Sequence, residues 1–421
     1  MEILCDRCAG IDVHKRTVVV SARWVGPDAQ PVSEVRTYGT MTAELLELAD
    51  WLVGLGIERV AMESTGVYWK PVYHLLEGRL EVLLVNASHI KNVPGRKTDV
   101  NDAGWIAQLL AHGLLRASFI PPAPIRHLRD LTRQRATLVQ DRARVANRIQ
   151  KLLEDCNLKL GDVASDVLGK SGRSILEAIA GGASDPDFLA EKALGRLREK
   201  IPALRRALTG TVTDHHRFLL RSLLDQIAFF DAHIERFDSR VIQVMEPPAA
   251  EATATSPAEE PLTPPAEGPP TSPAEGPLTS PAVVLSVAEA VERLMTIPGV
   301  GRRAAEVIIA EIGPDMTVFP DAGHLSSWAG MCPGNHQSAG KRIKGRTTKG
   351  SQWLRTTLIQ VAWSASHTKA TVLRQCYQCW SRRLGKKRAL LALGHKILRI
   401  VYHILNDRTI YVESLGASPT A

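Results

Sequence analysis

Three imperfect octads, "SPAEEPLT", "PPAEGPPT" and "SPAEGPLT", run in tandem over residues 256–279 and are followed by "SPA". A segment dominated by Pro, Glu, Thr and Ser has no core to bury, and each Pro removes a backbone donor. This is the clearest boundary in a chain of 421 residues, a length that allows two or three domains with real cores. We read 247–282 as a disordered, partly extended linker, with a random-coil span of roughly 30–35 Å and a full reach of about 110 Å. The octads fit a sequence expansion better than a proline-recognition site.

The residues before the linker divide in two. Over 1–121, "TVVVSARWV" follows "GIDVHK", "TAELLELADWLVGLG" has helical period, and "RVAMEST" and "EVLLVNAS" are short apolar runs suited to buried strands. That alternation predicts an α/β domain with a mixed sheet. Over 122–246 the pattern becomes helical, beginning at the prolines of "PPAPIRHL". Leu128, Leu131, Leu138, Val145, Ile149 and Leu152 approximate a coiled-coil seam. Seven Arg lie between 126 and 148, either a solvated face or a phosphate-contacting one. A second long helix is expected over 215–245, placed to pair with the first.

After the linker, 283–421 reads as a helical, patchily basic domain. "LMTIPGVGRRAAEVIIAEIG" is helix, Pro-Gly-Val-Gly turn, helix. It is either a plain helical hairpin or a helix–hairpin–helix whose turn presents N–H groups to a phosphate. The basic stretch "SRRLGKKR", 381–388, reads equally as solvated surface or as nucleic-acid contact. Trp105, Trp328, Trp353 and Trp363 are expected in the core or in helix packing.

The net charge of +8 favours a polyanionic partner. No apolar run approaches the roughly 20 residues of a membrane span, and "MEILCDRCAGIDVHK" lacks the apolar core of a signal peptide. The expected location is therefore the cytosol, with no membrane partner. Cys5–Cys8 and Cys376–Cys379 have zinc-type spacing, but about 370 residues separate the pairs, and ordinary reduced thiols are the expectation.

The chemistry begins at "KTDVNDAGWIAQLL". Asp99 and Asp102 stand three apart as an apolar periodicity starts, which on a helix places both carboxylates on one face. A solvated helix start is one reading; a divalent-metal site is the other, and it needs further acids. Asp12 in "GIDVHK" and Glu63 in "VAMESTG" sit in strand-like runs and can supply them. Buried together without metal, such carboxylates repel and some protonate. Oxygen donors favour Mg²⁺ or Mn²⁺ over zinc. His14, beside Asp12, is expected to be structural.

"GIDVHK", "MESTGVYW" and "KTDVNDA", in that order, resemble the Asp-Glu-Asp-Asp domain of the transposases of the insertion sequence 110 family. The resemblance implies a RuvC-like, ribonuclease-H-type fold for this domain. It also implies that Asp12, Glu63, Asp99 and Asp102 are the metal-binding acids. "TIPGVGRRAAEVIIAEIG" and "LSSWAGMCPGNHQSAGKRIKGRTTKGSQWLRTTLIQVAW" look like the second domain of the same family. There Ser338 of "QSAGK" takes the position of the family's nucleophile, with Ala339 where many members have Gly. By itself Ser338 is a turn serine followed by Lys341, Arg342, Lys344, Arg346 and Lys349, cations able to hold a phosphate. The resemblance further implies DNA as substrate, a structured bridge RNA as guide, a covalent phosphoserine intermediate, and a dimer or tetramer. Two rivals are a metal-dependent nuclease using water and a nucleic-acid binder with vestigial acids. An actin-like ATPase would need Gly-rich phosphate loops, which 1–120 does not show.

Overall fold

In a computed structural model, residues 4–26, 30–64, 66–86, 102–246, 285–332, 336–338, 341–343, 347 and 350–413 are described. They form two compact units that divide at Ile120 and Pro121. The linker expected over 247–282 and Asp99 lie outside the described residues.

In the first unit, strands β1 (Cys8–Val13), β2 (Thr17–Val25), β3 (Pro31–Gly39), β4 (Arg59–Glu63) and β5 (Glu81–Val85) form one sheet in the order β3-β2-β1-β4-β5. β1, β2 and β3 pair antiparallel, whereas β4 and β5 join parallel to β1. The Val-rich runs become the strands they suggest. The edge strand β3 was not among them, because "PVSEVRTYG" leaves most of its positions exposed and shows no buried apolar run.

Side chains alternate across a strand, so each face has its own core. Ile11, Val13, Val60, Met62 and Leu84 face helices α1 (Thr42–Gly54) and α2 (Trp69–Leu76), where Leu45, Leu48, Leu52, Val72 and Leu76 cover them. Cys8, Ala61 and Val85 face the other way, toward Ile106 and Leu109 of α3 (Asp102–Ala111). This is the mixed α/β sheet that the sequence predicts, with α1 and α2 on one face and α3 on the other.

The second unit is helical. α4 (Ala123–Asp155) runs antiparallel to a later helix, α9 (Asp214–Met245), as the pairs Arg135–Asp238, Arg142–Asp231 and His216–Asp155 show. Between them come α5 (Leu160–Val163), α6 (Lys170–Ala180), α7 (Pro186–Glu191), a 3-10 turn (Gly195–Lys200) and α8 (Ile201–Ala207), which cap one end of the pair around a core including Ile149, Ile175, Leu176 and Ile227.

Among the residues described after 284, α10 (Val287–Met295) starts at a capping box of Ser286 and Glu289. It turns through Pro298–Gly301 into α11 (Arg302–Ile312). α12 (Ala322–Trp328), the hairpin β6 (His336–Ser338) and β7 (Lys341–Ile343), α13 (Gln352–His367), α14 (Val372–Leu384) and α15 (Lys386–Asn406) follow, with α12, α13 and α14 all packed on α15. Trp363 departs from its expected burial: it is 59% exposed and stacks on His367, 4.5 Å between ring centres. Among the described residues no helix is long and apolar enough to cross a membrane.

The expected seam of α4 is only partly the observed one. Leu128, Leu138, Val145 and Ile149 are buried, but Thr132, Arg135 and Leu153 are buried as well, while Leu131 and Leu152 are half-buried. Further neighbours explain the shift: α11 packs on α4 around Thr132 and Arg135, and the helices between Leu160 and Ala207 cover Leu153, so burial extends beyond the stripe that faces α9.

Candidate metal and nucleophile sites

Asp12 is the fifth residue of β1, and Glu63 ends β4. The register Ile11↔Met62 puts Asp12 and Glu63 side by side at the carboxyl ends of adjacent parallel strands, the end of an open sheet where ligands bind. Two residues before Asp12, Gly10 points to the same face. A Cβ on Gly10 would stand 2.1 Å from the Ala103 carbonyl oxygen and 2.4 Å from the Ala107 nitrogen. α3 therefore lies directly on β1, and its first residue, Asp102, stands above the edge where Asp12 and Glu63 lie. Cys8, Ala61 and Val85 on that face confirm the alternation.

Three of the four predicted acids thus share one face and one end of the sheet. Asp12 is 17% exposed and its Oδ2 lies 3.2 Å from His14 Nε2, so the exposed His14 ring orients this carboxylate. Glu63 and Asp102 each have a partner of their own. Among the described residues no three His, Cys, Asp or Glu side chains are gathered closely enough to hold a metal ion. The set fits a divalent cation by chemistry, because all its acid donors are hard oxygens. The fourth acid, Asp99, lies outside the described residues.

The nearby cysteines do not offer a soft alternative. Burial pushes the Cys8 thiol up to about 12, with Cys5 adding to the effect, and a metal-ligating cysteine must give up that proton. All six cysteines are free.

Ser338 belongs to the second unit. It ends β6 and pairs with Lys341 across a two-residue connection, Ala339-Gly340. The turn serine of the sequence is therefore the tip of an antiparallel hairpin, with Arg342 opposite Gln337. Lys344, Arg346 and Lys349 lie outside the described residues.

The arginines of α4 have a role that the sequence reading missed. Arg135 is 4% exposed, and its Nη1 donates to Glu306 Oε2 at 2.6 Å and Asp238 Oδ1 at 2.8 Å. Arg133 makes a bidentate pair with Glu311, at 2.7 and 2.8 Å. Arg129 donates to the carbonyls of Ala310 and Glu311, capping the C-terminal end of α11. Three arginines offered to phosphate or solvent are instead an internal polar seam between α4, α9 and α11. Glu306 and Glu311 inside the apolar run "EVIIAEI" are the sequence signal for it. A cavity of about 400 Å³ beside this seam is lined by Arg133, Arg135, Arg303 and Trp353. The three cations are already paired with Glu306, Glu311 and Asp238.

In the turn before α11, Gly299 has φ +89° and a Cβ there would stand 2.6 Å from the Ala365 nitrogen, so internal packing against α13 demands it. Gly301, at the start of α11, has open space around it.

Residues 9–158 match a DEDD-type family model of the insertion sequence IS110, described as a transposase. Residues 291–378 match the model described as transposase, IS116/IS110/IS902 family. Together these span more than half of the chain. A stretch of 138 residues, 32% of the chain and 35% of the relative, is 28% identical to a Sinorhizobium fredii protein provisionally named transposase y4pF/y4sB. A stretch of 128 residues is 32% identical to the "Insertion element IS110 uncharacterized 43.6 kDa protein" of Streptomyces coelicolor, over 30% of the chain and 31% of the relative. The pilin gene-inverting protein of Moraxella bovis is 30% identical over 118 residues, 27% of the chain and 36% of the relative. The matched stretches cover about a third of each relative's own length.

Proposed function

The chain belongs to the IS110 family of transposases, and from that premise we propose that it is a DNA recombinase that cuts and rejoins strands by transesterification. The observation that carries the reading is the alignment of Asp12, Glu63 and Asp102 on the α3 face, at the carboxyl ends of β1 and β4. Asp12, Glu63, Asp102 and Asp99 hold the divalent ion, Mg²⁺ or Mn²⁺. When bound, such an ion neutralises charge developing on phosphodiester oxygens. His14 keeps the Asp12 carboxylate oriented.

Ser338 is the nucleophile. Its Oγ bonds to phosphorus as the hydroxyl proton leaves, and one phosphoester bond to DNA breaks, releasing a strand-end hydroxyl that takes up a proton. One ester bond replaces another, so the phosphoserine can return the strand without a nucleotide cofactor. A free hydroxyl is a weak nucleophile, and Lys341 and Arg342 beside it in the hairpin favour an anionic phosphate and its developing charge. Lys344, Arg346 and Lys349 extend that cationic run. The open Gly301 turn suits a further phosphate contact of the helix–hairpin–helix kind through its backbone N–H groups, while Arg302 behind it is paired with Glu292 and Glu306.

A bridge-type RNA guides the choice of donor and target DNA, and a dimer or tetramer supplies the several active sites that exchanging strands requires. A relative named for inverting a pilin gene favours this reading over the alternative, a metal-dependent nuclease with water in place of Ser338, because inversion must rejoin what it cuts.

The test is a suicide DNA substrate that traps the intermediate. Protein covalently bound to DNA is expected, mapping by mass spectrometry to the peptide containing "NHQSAGK", and absent in Ser338→Ala. Free DNA ends with no adduct, and metal-dependent cleavage at full rate in Ser338→Ala, would overturn the recombinase mechanism in favour of the nuclease.

A further inference from the structure

Residues 322–406 contain 15 Lys and Arg and no Asp or Glu. The rest of the chain has 37 Lys and Arg against all 44 Asp and Glu. The net positive charge of the protein therefore resides entirely in this run. Folded surfaces ordinarily intersperse the two signs, because concentrated like charge repels itself. The run folds into α12–α15 and the β6–β7 hairpin, with three of its helices packed on α15, so its described cations share one body.

Five of them meet at a corner. Arg382 and Arg383 lie in the last turn of α14, and Lys386, Lys387 and Arg388 open α15 on the other side of Gly385. All five are exposed, and no described ion pair involves them. A helix N-terminus disfavours positive charge, so local stability does not account for three cations there. No large apolar side chain of α14 or α15 is among the exposed ones, which leaves the surface without the anchors of a protein interface.

The cations continue along α15. Arg388, His395 and Arg399 are spaced by seven and four residues, one helix face about 16 Å long. Burial, with Arg399 adding to it, holds the His395 imidazole below its ordinary range, so the lasting charges are the two arginines. His395 Nε2 lies 3.9 Å from Cys332 Sγ, and a Cβ on Gly394 would stand 3.0 Å from Met331 Cε. Past the hairpin, a Cβ on Gly350 would stand 2.2 Å from the Ala329 carbonyl carbon. Met331 and Cys332, which lead into the segment that carries Ser338, thus lie beside the middle of α15, with Arg388 and Arg399 to either side, and Gly350 after it rests on Ala329, just before them.

We propose that the α14–α15 corner and the Arg388–Arg399 face of α15 form a track for the backbone of the DNA duplex flanking the phosphate that Ser338 attacks. The choice of DNA rests on the function proposed above; the requirement for a polyanion rests on the charge and geometry alone.

The test measures binding of the full chain, as Ser338→Ala and without divalent metal, to a labelled DNA duplex over a salt series. Arg382→Ala, Arg383→Ala, Lys387→Ala and Arg388→Ala combined should flatten the log–log salt dependence by about 2 to 4, near 0.9 per lost phosphate contact. A control losing four exposed cations elsewhere, Arg148, Lys151, Arg196 and Arg206, should change it by less than about 1. Replacing the corner arginines by Lys should restore the slope, because a point charge suffices for phosphate, and separates lost charge from lost fold. Equal slopes for corner variant and control would overturn the track, as would a corner variant that affects an RNA hairpin but not the DNA. No chemistry is involved, so a missing Ser338 adduct with an intact slope effect would sink the transesterification and leave the track standing.

Discussion

Gly10 and Asp102 act on the same site by different means. Gly10 lets the backbone of α3 touch β1 where any side chain would collide with Ala103 and Ala107. Gly10→Ala should push α3 off the sheet, costing about 1–3 kcal/mol as overpacking does, and should shift Asp102 away from Asp12 and Glu63. Asp102→Asn removes a charge at nearly constant shape and leaves that packing alone. Strand cleavage should fall by orders of magnitude in both, whereas the urea unfolding midpoint should drop only in Gly10→Ala. Near-normal cleavage by Asp102→Asn would return Asp102 to the simple role of opening a helix.

At the level of elements, α11 is tied to the α4–α9 pair through charges. Arg135 and Glu306 are 4% and 3% exposed, with Asp238 as a second acceptor for the guanidinium. Removing one partner of a buried pair leaves the other charge desolvated, so Arg135→Met should cost about 3–5 kcal/mol in chemical unfolding. Adding Glu306→Leu should recover most of that loss, since an apolar pair of similar volume is close to neutral there. An unchanged unfolding midpoint for Arg135→Met would show that α11 is held by its apolar residues alone. The same seam explains why a heptad reading of α4 finds Leu128 and Leu138 but misplaces Leu131, and the helices between Leu160 and Ala207 shift burial from Leu152 to Leu153. Periodicity describes one neighbour, and α4 has several.

For the whole molecule, the octads and the acid-free run are the large-scale features. Residues 256–279 contain nothing able to form a core, so deleting them should leave the thermal unfolding of both units within about 1 °C of the intact chain, below the roughly 2–4 °C that 1 kcal/mol produces in domains of 150–250 residues. A larger fall would show that the segment is packed. The charge asymmetry has a further consequence at this scale. An acidic remainder and a cationic terminal body favour a polyanion at one end of the chain, which net charge alone understates.

Local pattern was sufficient to find β1, β2, β4 and β5, both long helices and the turn before α11, whereas the four acids were singled out only by the family resemblance. Each of those elements depends on residues close in sequence: Val-rich runs, a 3.6-residue period, or glycines in a tight turn. Tertiary structure decided the rest, because it rests on which element lies against which. Asp12 and Glu63 are 51 positions apart, and only the β1–β4 register makes them neighbours. The edge strand β3 is recognisable only once β2 is there to pair with it. Trp363 looks like core by its type, yet among the described residues no helix covers its side of α13 and it stays exposed. Arg129, Arg133 and Arg135 look like surface charges until Glu306 and Glu311 arrive from a helix more than 160 residues away, close enough to replace the water they lose.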